Sequence, residues 1–255
     1  MWEATRQLWD VRDPVSTATH AAACLWSLYA TGVLWRLCRG QPRKQWSLAC
    51  FGVSMILLYA ASALYHAPRL SPEALKPLQL IDHSAIYTLI AGTYTPAFAV
   101  LIPRRWLRRL LLAGIWALAI AGIACKWSIA SVPYPVTISL YLGMGWFGLL
   151  AIVELVRAVG WGGMCWGLGG GVLYTLGGIA DWMQWPILYP GFFGYHEFFH
   201  ICAMAGTFCH FILMVRYVVP YDAGPAPGAE ETPALFREPQ PAFHDQLSRE
   251  ERSSV

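Results

Sequence analysis

Of the chain's 255 residues, 56% are hydrophobic and 13% charged, too few polar side chains to cover a soluble globule, so composition places it in a bilayer. Eighteen Lys and Arg against fifteen Asp and Glu leave a net charge of only +3, and the basic residues flank apolar runs instead of lining an aromatic-rich polar groove, which excludes nucleic-acid binding. Seven cysteines are scattered through apolar stretches without a CxxC pair; they imply no disulfide framework and read as small packing residues.

Residues 1–15 form a polar segment with Glu3, Arg6, Asp10, Arg12 and Asp13. No small-residue cleavage site follows a short apolar core, so the first apolar segment is expected to be retained. A helix needs about 20 mostly apolar residues to cross a bilayer, because its backbone groups must satisfy one another there. Seven stretches meet that requirement, at roughly 16–36, 46–66, 81–102, 107–127, 134–156, 163–183 and 195–219. The predicted fold is all-α: an integral membrane bundle of seven transmembrane helices joined by short loops, occupying 16–219.

The breaks carry helix breakers with charge or interfacial aromatics, as in Gln41-Pro42-Arg43-Lys44, Pro68-Arg69 through Pro77, Pro103-Arg104-Arg105 and Trp185-Pro186. Tryptophans near the ends of the apolar runs, such as Trp35, Trp106 and Trp185, match a headgroup-level belt. Glycines from Gly167 to Gly178 read as a close-packing surface in the sixth span. After Pro220 the composition turns to proline, alanine, glycine and acid, and 220–255 is expected to be a disordered tail. The loops after the first and third spans carry most of the Arg and Lys, which places them in the cytoplasm, the N-terminus outside and the tail inside, at the plasma (cell inner) membrane.

Ionisable groups inside a membrane are costly and mark function. With seven antiparallel spans, the end of the second, the start of the third and the start of the seventh meet on one side, bringing together Ser62, His66, Asp82, His196 and His200. His196 and His200 are four apart and stack on one helical face, so both can ligate one ion. His66 adds the third imidazole of a catalytic zinc (Zn²⁺) site whose fourth position is open. Asp82 then serves either as general base toward a water at that position or as the group that orients a ligand histidine. Ser62 is a hydrogen-bond donor for the water or a substrate carbonyl. His20 and His210 read as interhelical hydrogen-bonding residues, and His83 points to a different face from Asp82. Asp181 ends its span on the same side, with no matching partner in the sequence.

His196-Glu197-Phe-Phe-His200 is also H-E-x-x-H, the pattern of zinc metalloproteases in which the glutamate is the base. An intramembrane protease would want a further aspartate downstream, and nothing between His200 and the tail offers one. The protease reading therefore ranks behind the three-helix site, with Glu197 suited to the dipole at its helix start.

At these residues the chain resembles the hemolysin III family, grouped with the progestin and adipoQ receptors (PAQR) and so with the adiponectin receptors. The resemblance runs from Asp13-Pro-Val-Ser-Thr-Ala-Thr-His20 to about Val219. It includes Ser62 to His66, Asp82-His-Ser84, Ala91-Gly-Thr-Tyr-Thr-Pro96, Gly194-Tyr-His196-Glu-Phe-Phe-His200 and Gly206-Thr207. It implies seven membrane helices, zinc on His66, His196 and His200, and Asp82 near the metal water. The wider superfamily includes alkaline ceramidases, so the resemblance further implies membrane lipids as partners and a lipid amide as substrate. The alternative is a non-enzymatic receptor, sensor or cytolytic protein in which zinc only fastens helices.

Overall fold

A computed structural model describes residues 11–129 and 132–222. The first ten residues of the expected polar segment and the expected disordered tail from 223 onward lie outside the described residues. Among those described, the chain is helical, with one isolated bridge between Tyr189 and Phe193. The helices are α1 (Pro14–Leu37), α2 (Pro42–His66), α3 (Pro72–Leu101), α4 (Arg105–Ser128), α5 (Tyr134–Gly145), α6 (Ile152–Met183) and α7 (Tyr195–Leu213), with a 3-10 turn at Phe147–Ala151 and a π-helical turn at Met214–Val218.

Proline in the first turn starts α1, α2, α3 and α5, where its fixed φ suits the helix and its missing N–H costs nothing. This moves the start of α3 from the expected 81 to Pro72. Ser71 caps it by accepting from the Ala74 N–H, and Pro77, read from sequence as part of a break, lies inside the helix. Pro77 is tolerated because the carbonyl it leaves unbonded belongs to Glu73, which is exposed at the wet end.

Five helical stretches are long and apolar enough to cross a membrane, against the seven spans expected. Two features explain the difference. Helix α1 is long enough, but its inward stripe carries Ser16, His20 and Ser27, all buried. The two spans expected between 134 and 183 form one helical run of 50 residues. That run folds back on itself at Gly160, whose φ of 62° is a left-handed conformation that glycine adopts without steric cost. The two arms lie side by side: the Trp146 indole donates to Thr175 Oγ1 at 3.1 Å, and Leu142 covers Gly178. Tyr94 holds the break after α5, its hydroxyl donating to the Gly145 carbonyl and accepting from the Gly148 N–H at 3.1 Å.

The core is formed mainly by α1 to α4, with Leu34, Phe51, Met55, Phe98 and Ile115 fully buried. Helices α6 and α7 meet through glycines, as the glycine-rich stretch predicts. A Cβ on Gly206 would stand 3.0 Å from the Gly170 carbonyl oxygen and 3.2 Å from the Tyr174 ring. Backbone cannot rotate away as a side chain can, so Gly206→Val will separate the two helices and cost ~1–3 kcal/mol, read as a lower thermal midpoint in detergent. Gly169→Ala, where nothing lies within 4 Å, leaves the midpoint unchanged or higher.

Candidate metal centre

One end of the bundle collects the last residue of α2, the early turns of α3, the end of α6 and the first two turns of α7. His66, His196 and His200 meet there, each offering a ring nitrogen, with these atoms all within 4.8 Å of one another. His66 and His200 are buried, and His196 is partly exposed. Asp82 and Ser62 are buried and line the same cavity. All five residues line one cavity of about 690 Å³. The sequence-predicted residues are thus brought together.

The hydrogen bonds reach further than the sequence showed. His66 Nδ1 is 2.9 Å from Asp13 Oδ2, and His196 Nδ1 is 2.9 Å from Asp181 Oδ1. A carboxylate accepts, so each Nδ1 carries the proton, and the neutral rings present bare lone pairs at Nε2. Those two Nε2 atoms stand 3.2 Å apart. Facing lone pairs at that separation repel unless a proton or a cation sits between them, and the third imidazole alongside favours a cation. Two nitrogens bound tetrahedrally to one zinc at about 2.0–2.1 Å are roughly 3.4 Å apart. Three imidazoles, two of them held through Nδ1 by carboxylates, fit zinc.

Asp13 lies before the first span. Partial burial works to raise its carboxyl pKa, but hydrogen bonds from His66 and Arg12 outweigh this and hold it below the ordinary carboxylate value. It is therefore ionised at neutral pH and accepts from His66.

Three sequence readings change. Asp181, left without a partner, is the group on His196. Asp13, assigned only to a polar segment, is the group on His66, a contact between α1's N-cap and the end of α2 that no local spacing signals. His20 makes no interhelical hydrogen bond among the described residues: both its ring nitrogens are buried without a partner, and its ring stacks on that of His200. Two readings agree with the structure. His210 bonds the Gly167 carbonyl across to α6 at 3.2 Å. Glu197 turns away from the imidazoles, accepting from the Gly194 N–H at 2.9 Å and from Ser16 Oγ at 3.1 Å. That capping role leaves the H-E-x-x-H glutamate unsuited to be a base at the cluster.

A family model described as Haemolysin-III related matches residues 9–211, a span that contains every residue of this centre. The chain belongs to the haemolysin-III family. It is similar to Hemolysin-3 of Bacillus cereus, with 34% identity over 220 residues, 85% of this chain and 96% of that protein. It is also similar to the Hemolysin-3 homolog of Bacillus subtilis (strain 168), with 35% identity over 175 residues, 68% of this chain and 78% of that protein. Family membership together with the apolar helices makes this an integral membrane protein. If the three imidazoles of this haemolysin-III protein hold zinc, Asp181→Asn and Asp13→Asn should each leave one ion bound but weaken it about 10- to 100-fold, measured by competition with a chromophoric chelator.

Proposed function

We propose that this haemolysin-III family protein is a zinc-dependent hydrolase of lipid amides, with the metal on His66, His196 and His200. The observation that carries the reading is the cavity. Its lining includes the imidazole cluster, Asp82 and Ser62 at one end, and it follows α3 as far as Leu101. The nineteen residue-to-residue steps from Asp82 to Leu101 rise about 28 Å along a helix, close to the thickness of a bilayer's hydrocarbon core. Such a space suits an acyl chain, with its polar linkage at the cluster and its tail among apolar side chains.

Zinc, when bound, supplies the Lewis acidity that makes water nucleophilic at neutral pH and polarises a carbonyl. The protein's own residues do the rest. Asp82 Oδ accepts the proton of the attacking water and returns it to the departing amine nitrogen, so that amide and water become fatty acid and amine. Ser62 Oγ, on the wall of the same cavity, donates to the substrate carbonyl oxygen. Asp13 and Asp181 fix two imidazole rings before substrate arrives, so little reorganisation is left for the reaction itself. The bundle is read as seven crossings, counting α1 and the two arms that meet at Gly160, and loop charge puts the metal face outside the plasma membrane.

Purified protein in detergent, offered ceramides and other N-acyl lipids, should release fatty acid, stop when zinc is chelated, and resume when zinc is restored. A broad panel from which no fatty acid is released sinks the enzyme reading. The name of the relatives, Hemolysin-3, favours a second reading, a cytolytic protein in which zinc fastens α2 to α7. Lysis of erythrocytes by protein that hydrolyses no lipid would establish that alternative.

A further inference from the structure

Two of the three imidazoles are oriented by carboxylates through Nδ1, but His200 Nδ1 is buried with no hydrogen-bond partner among the described residues. Its ring plane must be set another way. The His20 ring lies flat against it, centroids 3.7 Å apart and planes 14° from parallel. On another side His20 meets the edge of Tyr59, at 5.1 Å and 73°. Tyr59 is itself fixed, because its hydroxyl donates to Thr207 Oγ1 at 2.7 Å, and the Tyr174 hydroxyl lies 2.7 Å from the same atom. Thr207 is seven residues beyond His200, two turns along the same face of α7. The contacts therefore close a ring, from His200 to His20, Tyr59, Thr207 and back along α7. His20, Tyr59, Thr207 and His200 are all at most 3% exposed.

We propose that His20 is the positioning residue for His200, acting through the face of its ring and not through its nitrogens, neither of which has a partner. Helix α1 and the residue that caps it would then restrain two of the three ligands, His66 through Asp13 and His200 through His20. The inference rests on the metal reading given above, and its test separates the two. Edge and face contacts between aromatic rings favour defined geometries, so a flat ring restrains its neighbour in a way that an aliphatic side chain of similar bulk does not.

The experiment uses the full chain in detergent, with zinc affinity measured by chelator competition and site geometry by the visible spectrum of the cobalt(II)-substituted protein. Wild type should bind one zinc; if it binds none, the metal reading fails before His20 is at issue. His20→Leu, which fills the space without a ring, should weaken zinc about 10- to 100-fold, the range seen when a ligand histidine loses its orienting partner. It should also alter the cobalt spectrum. His20→Phe, which keeps a flat ring and removes both nitrogens, should restore affinity and spectrum. Either of two results overturns the proposal: wild-type affinity and spectrum in His20→Leu, or rescue by His20→Gln with none by His20→Phe, which would assign the role to a polar atom. A thermal midpoint for each variant separates lost restraint from lost fold.

Discussion

On the proposed zinc assignment, protein carrying His196→Ala will purify without stoichiometric zinc, while His210→Ala purifies with it. His196 supplies the Nε2 that faces His66 Nε2 at 3.2 Å, so its loss leaves two imidazoles where a three-ligand site needs three. The effect should exceed the roughly 10- to 100-fold cost of removing a partner behind a ligand, because here the ligand itself goes. A stability penalty accompanies it. Asp181, whose side chain is 11% exposed, loses the donor on its Oδ1, and an unsatisfied buried acceptor costs about 1–3 kcal/mol. His210 is the matched control, a partly buried histidine on the same helix whose ring bonds the Gly167 carbonyl instead of the cluster. Metal analysis of folded, monodisperse protein reads the outcome, and zinc retained at one per chain in His196→Ala would refute the ligand assignment.

Asp82→Asn should separate binding from turnover. Asp82 is buried and is not among the three side chains whose ligand atoms cluster, so zinc stays. Asparagine keeps the shape and the size of the side chain, so the fold stays as well. What it cannot do is take up a proton. If Asp82 is the general base, fatty-acid release falls about 10²- to 10⁴-fold with zinc affinity unchanged. If it orients a ligand instead, affinity falls and turnover recovers once excess zinc fills the site. Parallel zinc titrations and single-turnover rates tell these apart.

The part of the centre legible in the sequence was the part that obeys helical periodicity. His196 and His200 share a face by their spacing, and an antiparallel count of spans brings His66 and Asp82 to the same side. Everything that depends on contacts between helices was hidden. Asp13 is 53 residues from His66, and Asp181 is 15 from His196 across a loop, so no local pattern links either pair. The stacking of His20 on His200 leaves no hydrogen-bonding signature in sequence at all, and reading His20 as a hydrogen-bonding residue missed it. In the fold, hydropathy found the apolar stretches but misplaced the start of α3, where a proline in the second turn looked like a break. The break expected between 156 and 163 falls at Gly160, which reverses the chain without interrupting the count of helical residues. The polar inward face of α1 lowered the hydropathy of a helix whose polar residues face its neighbours instead of lipid.

The Asp13–His66 pair has a consequence for the order in which the protein becomes competent. Both of its members are in place once α1 and α2 have been made, whereas His196 and His200 arrive only with α7, the last helix among the described residues. A nascent chain therefore carries a poised half-site through most of its synthesis and cannot grip an ion until its final helix docks. Capture of the metal would then act as the clasp that fastens α7 to α2, and a chain truncated before His196 would be left with an imidazole held ready for an ion that nothing else can help it keep.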